Sequence, residues 1–190
     1  MPRLFTGIEL PEDICDQLAE LEQPLPGAKW IELDNFHITL RFAGDIDKRA
    51  AHEFAEELAR IDQDVFEIRL EGLGVFGGKD PRTLWAGVSS SNALDALARA
   101  NERAARAAGL PPETRAFKAH VTLARLRNTD IAALTMLLER RSLLRTRPFV
   151  VEHFSLFSSR PKIGGGPYVV EEVFPLRGSG HDYADFSPHD

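Results

Sequence analysis

The chain has 190 residues, enough for one domain or two small lobes sharing a core, and its 43% hydrophobic and 27% charged composition is that of a globular protein. A net charge of −6 argues against a broad electrostatic grip on long nucleic acid, and the single cysteine, Cys15, excludes an internal disulfide or a multi-cysteine metal site. No stretch reaches membrane-spanning length and Met1-Pro2-Arg3-Leu4-Phe5 lacks a signal-peptide run, so a cytoplasmic location is expected.

In chain order, residues 3–10 read as a strand ended by Pro11, which also suits the first turn of a helix over 12–22 with Ile14, Leu18 and Leu21 at helical spacing. Pro24, Pro26 and Gly27 break that helix. Residues 36–42 alternate as a strand, and 48–60 form an amphipathic helix carrying Ala51, Phe54, Ala55 and Leu58. Strands follow over 65–75 and 84–88, joined by a turn around Gly77-Gly78-Lys79-Asp80-Pro81. Residues 93–108 are alanine-rich and helical, stopped by Gly109 and Pro111-Pro112. A strand over 119–126, a helix over 131–140 and strands over 149–157 and 168–176 complete the order, the last two linked at Gly164-Gly165-Gly166. The sequence predicts an α+β fold of mainly antiparallel sheet, with a polar, disordered tail at 178–190.

Helix and strand recur in both halves, and each half carries the same tetrapeptide: His37-Ile38-Thr39-Leu40 and His120-Val121-Thr122-Leu123. Side chains alternate along a strand, so His37 and Thr39 share one face and His120 and Thr122 share another, each pair backed by aliphatic residues. Two imidazoles facing across a cleft suit phosphodiester cleavage. A neutral one takes a proton from the attacking oxygen and a protonated one supplies the leaving oxygen, because histidine titrates near neutral pH. Threonine hydroxyls and a nearby arginine then stabilise the phosphate oxygens. Around the second motif Arg115, Lys118, Arg125 and Arg127 stand with no acid among them. No His-x-His, HExxH or carboxylate cluster occurs, so neither metal nor cofactor is expected. His52, His153, His181 and His189 carry no comparable pattern, and the Arg160-Pro161-Lys162-Ile163-Gly164 segment reads as a hairpin connection.

These motifs resemble those of the 2H phosphoesterase superfamily, and specifically its RNA 2′,3′-cyclic phosphodiesterase (2′-5′ RNA ligase) branch. The likeness also takes in Arg3-Leu4-Phe5-Thr6-Gly7-Ile8-Glu9-Leu10-Pro11, Ala28-Lys29-Trp30, the flanks of both motifs (Asn35-Phe36 and Arg41-Phe42-Ala43-Gly44; Phe117-Lys118-Ala119 and Ala124-Arg125), and Phe154-Ser155-Leu156-Phe157-Ser158. Ala119 stands where that family commonly has proline. The resemblance implies one bilobal unit over 1–177, with two pseudo-symmetric lobes of antiparallel sheet, outer helices and a central cleft. It implies metal-independent opening of a 2′,3′-cyclic phosphate on RNA or a nucleotide to a 2′-phosphate; a monomer is expected. His37 would be the acid and His120 the base; Thr39, Thr122 and Arg125 would hold the phosphate, and Phe42 would stack on the terminal base. Reversible 2′-5′ ligation would use the same groups. Other small cyclic or 2′-5′-linked nucleotides, or a non-catalytic RNA-end-binding module, are the alternatives. Strict alternation places Phe42 and Arg125, each five positions after its histidine, on the face opposite the histidines. Their roles therefore require an irregularity in each strand.

Overall fold

The computed structural model describes residues 3–159 and 168–179. It contains strands β1 (Arg3–Glu9), β2 (Ala28–Trp30), β3 (His37–Asp45), β4 (Phe66–Ile68), β5 (Leu70–Phe76), β6 (Thr83–Val88), β7 (His120–Leu126), β8 (Phe149–Val151), β9 (His153–Ser159) and β10 (Val169–Pro175). Its helices are α1 (Glu12–Ala19), α2 (Lys48–Ala59), α3 (Asn92–Ala107) and α4 (Ile131–Arg140). Three of the helix starts carry a side-chain cap: Asp47 accepts from the Ala50 N–H at 2.8 Å, Ser91 from Leu94 at 3.1 Å and Asp130 from Ala133 at 3.1 Å. Each satisfies an amide that the first helical turn leaves unpaired.

The main sheet runs β10-β9-β1-β3-β7-β6-β5, with β2 also paired to β7. Its two halves meet through one residue pair, Ile38 with Val121, so the two expected sheets form a single strand order joined between the motifs. All the strand pairs in it are antiparallel. One face carries the core, where Ile38, Val121, Leu84 and Ala86 are fully buried and α3 packs against β3 with α2 beside it. The opposite face holds the histidines. Among the described residues no helix is long and apolar enough to cross a membrane.

Four local expectations shift. Helix α1 stops at Ala19, and Leu21 and Glu22 turn back with N–H bonds to Leu18 and Ala19, three residues earlier; Leu21 and Leu25 are nevertheless buried. The stretch expected as one strand over 65–75 divides at Arg69, and that over 149–157 at Glu152. The two short pieces, β4 and β8, pair with each other in a separate two-stranded sheet, and the longer pieces join the main one. Ala28–Trp30, which follows the Pro-Gly break, is a strand on β7. The glycine turn at 164–166, the Arg160–Gly164 segment, His181 and His189 lie outside the described residues. Of the expected tail, Gly178 and Ser179 are described; Ser179 is buried and its N–H donates to the Leu176 carbonyl at 3.1 Å.

Candidate active site

Both motif strands show the same burial rhythm from the histidine onward: half-buried, buried, half-buried, then two consecutive buried residues, then an exposed one. The doubled positions are Leu40-Arg41 and Leu123-Ala124. At these places the register slips. On β3, Thr39 pairs with Gly7 but Arg41 pairs with Thr6, leaving Leu40 as the extra residue. On β7, Thr122 pairs with Trp85 but Ala124 pairs with Leu84, leaving Leu123 extra. One inserted residue reverses the face of everything beyond it. Phe42 and Arg125 are thereby turned onto the histidine face, as the required irregularity predicts.

Neighbouring contacts agree with that placement. The Phe42 ring lies parallel to Phe5, with centroids 6.5 Å apart, and Phe5 in turn packs on His37 at 4.8 Å. Phe42 keeps 46% of its surface exposed at the cleft. The charges of His120 and Arg125 both depress His37. Thr39 and Thr122 are half-buried beside their histidines.

Each histidine is held by the same local device. His37 donates its Nδ1 proton to the Asn35 carbonyl at 2.8 Å, and His120 donates its own to the Lys118 carbonyl at 2.6 Å. In both cases the acceptor lies two residues upstream. These bonds fix the tautomer and leave Nε2 of each ring as the working nitrogen. Nε2 of His37 lies 2.9 Å from the Thr39 hydroxyl, which donates to it when the ring is neutral.

The two rings sit in aromatic sockets. Tyr168 stands edge-on to His37 at 5.1 Å, and the Tyr168 N–H donates to the Asn35 side-chain oxygen at 3.2 Å, so one asparagine braces both. On the other side Phe76 stands edge-on to His120 at 4.9 Å and Trp85 lies at 6.2 Å. Trp85 lies flat across Gly74, where a Cβ would come within 2.2 Å of the indole. The Lys118 ammonium sits 4.8 Å from the Trp85 ring centroid.

Both histidines are held below the ordinary imidazole range. Burial is the main cause at His37, reinforced by the charges of His120 and Arg125 and opposed by the bond to Asn35. Burial leads at His120 too, opposed by the bond to the Lys118 carbonyl and reinforced by the Lys118 charge. Anion binding reverses such positive neighbours, raising the affinity for a proton once a phosphate is seated.

Of the basic segment, Arg115 is offset by Glu113 at 3.6 Å. Lys118, Arg125 and Arg127 have no ion pair among the described residues, nor does Lys29, the partner of Arg125 on β2. Arg41, by contrast, is buried on the core side. It donates to the carbonyls of Phe42 and Pro111 and pairs with Glu102, which also accepts from the Glu113 N–H. It thus ties the bulged strand to α3 and to the loop leading into β7. Among the described residues no group of three His, Cys, Asp or Glu side chains is placed to hold a metal ion. His52 pairs with Glu56 on the surface of α2, whereas His153 contacts Glu9, the residue opposite His37 on β1.

Sequence reasoning named the four motif residues, Arg125 and Phe42, which the structure sets on one face of the sheet. It missed the bracing by Asn35 and Tyr168 and the socket of Phe76 and Trp85, which arise from pairings between distant strands.

The profile of the LigT-like phosphoesterase family matches residues 8–85 and 87–167. An RNA 2′,3′-cyclic phosphodiesterase of Aquifex aeolicus is 37% identical over 155 residues, covering 79% of this chain and 82% of that protein. One from Aeropyrum pernix is 40% identical over 126 residues, 65% of this chain and 70% of that protein. The structure of a Thermus thermophilus protein, TT0787, superposes with a TM-score of 0.75 at 27% identity, over 93% of this chain and 98% of the other. That of Escherichia coli LigT complexed with 3′-AMP does so with 0.74 at 25% identity, over 93% and 99%.

Proposed function

Because this chain belongs to the LigT-like phosphoesterase family, we propose that its two imidazole–threonine pairs open a 2′,3′-cyclic phosphate at the end of an RNA, leaving a 2′-phosphate. Cyclic phosphodiesterase activity on RNA is the activity for which its curated relatives are named. The observation that carries the reading is the convergence of both motifs at the Ile38–Val121 junction, with Arg125 turned inward beside them.

The phosphate sits between the rings, its non-bridging oxygens accepting hydrogen bonds from Thr39 and Thr122 and a charge-assisted pair from Arg125. Nε2 of His120 removes a proton from water as the water oxygen bonds to phosphorus. The bond from phosphorus to the ribose 3′ oxygen breaks, and that oxygen takes the proton on Nε2 of His37. Burial, with the Lys118 charge added to it, favours neutral His120, the state a base needs. Burial and, to a smaller extent, the charges of His120 and Arg125 depress His37; a bound phosphate offsets those charges and so favours the acid form. Phe42 stacks on the terminal base. Every group needed comes from one chain, which suits a monomer, with residues 1–177 as one bilobal unit and no metal taking part. RNA ends of this kind and a cytoplasmic location go together.

The test supplies an RNA ending in a 2′,3′-cyclic phosphate with a chelator present and identifies the product. A terminal 2′-phosphate is expected. A 3′-phosphate, or turnover that depends on added metal, overturns the mechanism.

A further inference from the structure

Beyond the phosphate position, the histidine face of the second half-sheet carries a row of three cross-strand neighbours. Lys29 on β2 pairs with Arg125 on β7, and Arg125 pairs with Thr83 on β6. Residues directly opposite in an antiparallel ladder point to the same face, so Lys29 stands on the cleft side with Arg125. The burial pattern agrees: Ala28 and Trp30 pack toward the core, whereas Lys29 between them is exposed. Two cations facing each other across a ladder repel, which destabilises the pair unless an anion lies between or beside them. Among the described residues neither has a carboxylate partner, although other arginines are matched to acids, as in Arg147 with Asp13 and Arg177 with Asp62 and Asp64.

Arg125 sits between Lys29 and Thr83 in this row and its charge depresses His37, so Lys29 is the outer cation. It lies on β2, the short strand that shares an edge of β7 with β3. The aromatic wall of Phe76 and Trp85 runs along the opposite side of the same row, with Phe76 paired to Thr83. A row of cations alongside aromatic rings is the arrangement that follows a single-stranded backbone.

Resting on the reading of the site as a cyclic phosphodiesterase, we propose that Lys29 forms a second phosphate subsite, which takes the phosphodiester on the 5′ side of the terminal nucleotide. The subsite makes an oligoribonucleotide end a better substrate than a free cyclic nucleotide. It reads no base, because a phosphate contact carries no sequence information.

The test compares adenosine 2′,3′-cyclic phosphate, which has no second phosphate, with the dinucleotide ApA ending in a 2′,3′-cyclic phosphate, on wild-type protein and on Lys29→Ala and Lys29→Arg. The expected result is a KM for the dinucleotide about three- to tenfold higher in Lys29→Ala, with the cyclic mononucleotide unaffected and Lys29→Arg close to wild type. The slope of log KM against log salt for the dinucleotide falls by about 0.7 in Lys29→Ala, the loss of one phosphate contact to a single strand. An equal loss on both substrates, or no loss on either, overturns the subsite while leaving the catalytic reading intact. A wild-type protein that turns over neither substrate overturns the catalytic reading, and this inference with it.

Discussion

Ile38 on β3 pairs with Val121 on β7, and each is the residue immediately after a motif histidine. Through that one pair the half-sheets meet, and the antiparallel sense sets His37 on the side of Thr122 and Thr39 on the side of His120. Both aliphatic residues are fully buried on the core face, so all four polar groups share the other. The junction of the fold is also where the two motifs meet.

The charge of Lys118 depresses His120, adding to the larger effect of burial. A general base works in its neutral form, so kcat/KM rises as pH climbs through the base pKa of the free enzyme. Replacing Lys118→Met removes one depressing charge and raises that pKa. The acid limb of the kcat/KM profile should therefore move to higher pH. A limb that stays put or moves down would separate His120 from the base role.

Among the described residues Arg125 has no counter-ion, and it stands on the histidine face, which leaves its charge for substrate. Arg125→Ala should lower kcat/KM for a cyclic phosphate about a hundredfold, the scale of losing one preorganised donor to developing charge. Arg125→Lys should recover part of it, since lysine restores a point charge without the planar fork. Steady-state kinetics on the three proteins decides the matter, and unchanged activity in the alanine variant would place Arg125 outside the phosphate site.

Gly74 is where the Trp85 indole crosses the sheet, leaving no room for a methyl group. Gly74→Ala should push the indole off the strand and loosen the socket of His120. Urea unfolding should show a loss of about 1–3 kcal/mol, the range for overpacking. Trp85 fluorescence should shift in the same variant.

Arg41 holds three partners from a buried position: the Phe42 carbonyl at the bulge, the Pro111 carbonyl and the Glu102 carboxylate. Arg41→Met keeps the length and removes the donors, stranding a half-buried carboxylate. A loss of about 2–4 kcal/mol is expected in chemical unfolding. Arg41→Lys should restore less than half, because one ammonium cannot span three acceptors in a fixed plane.

The motif residues were legible because strand alternation is local: His37, Thr39, His120 and Thr122 need only a period of two to share a face. The bulges were legible by contradiction, since Phe42 and Arg125 reach the histidines only if each strand inserts a residue. What escaped depends on register between strands far apart in sequence. Nothing near Trp85 indicates that it lies beside His120; the β6–β7 pairing does that. Nor does the sequence around Arg69 and Glu152 show that two apparently continuous strands divide so that their outer pieces pair with each other. Lys29 reads as an isolated surface lysine until the β2–β7 register sets it opposite Arg125.

The central claim is that His37 and His120 act on one phosphate in one step. Its most direct test is kcat/KM on an RNA ending in a 2′,3′-cyclic phosphate for wild type, His37→Asn, His120→Asn and the double variant. Each single change should lower it by about 10²–10⁴, and the double variant should fall little further, because groups that act as a unit lose their effect together. Losses that multiply in the double variant, or a single variant that keeps its activity, would contradict it.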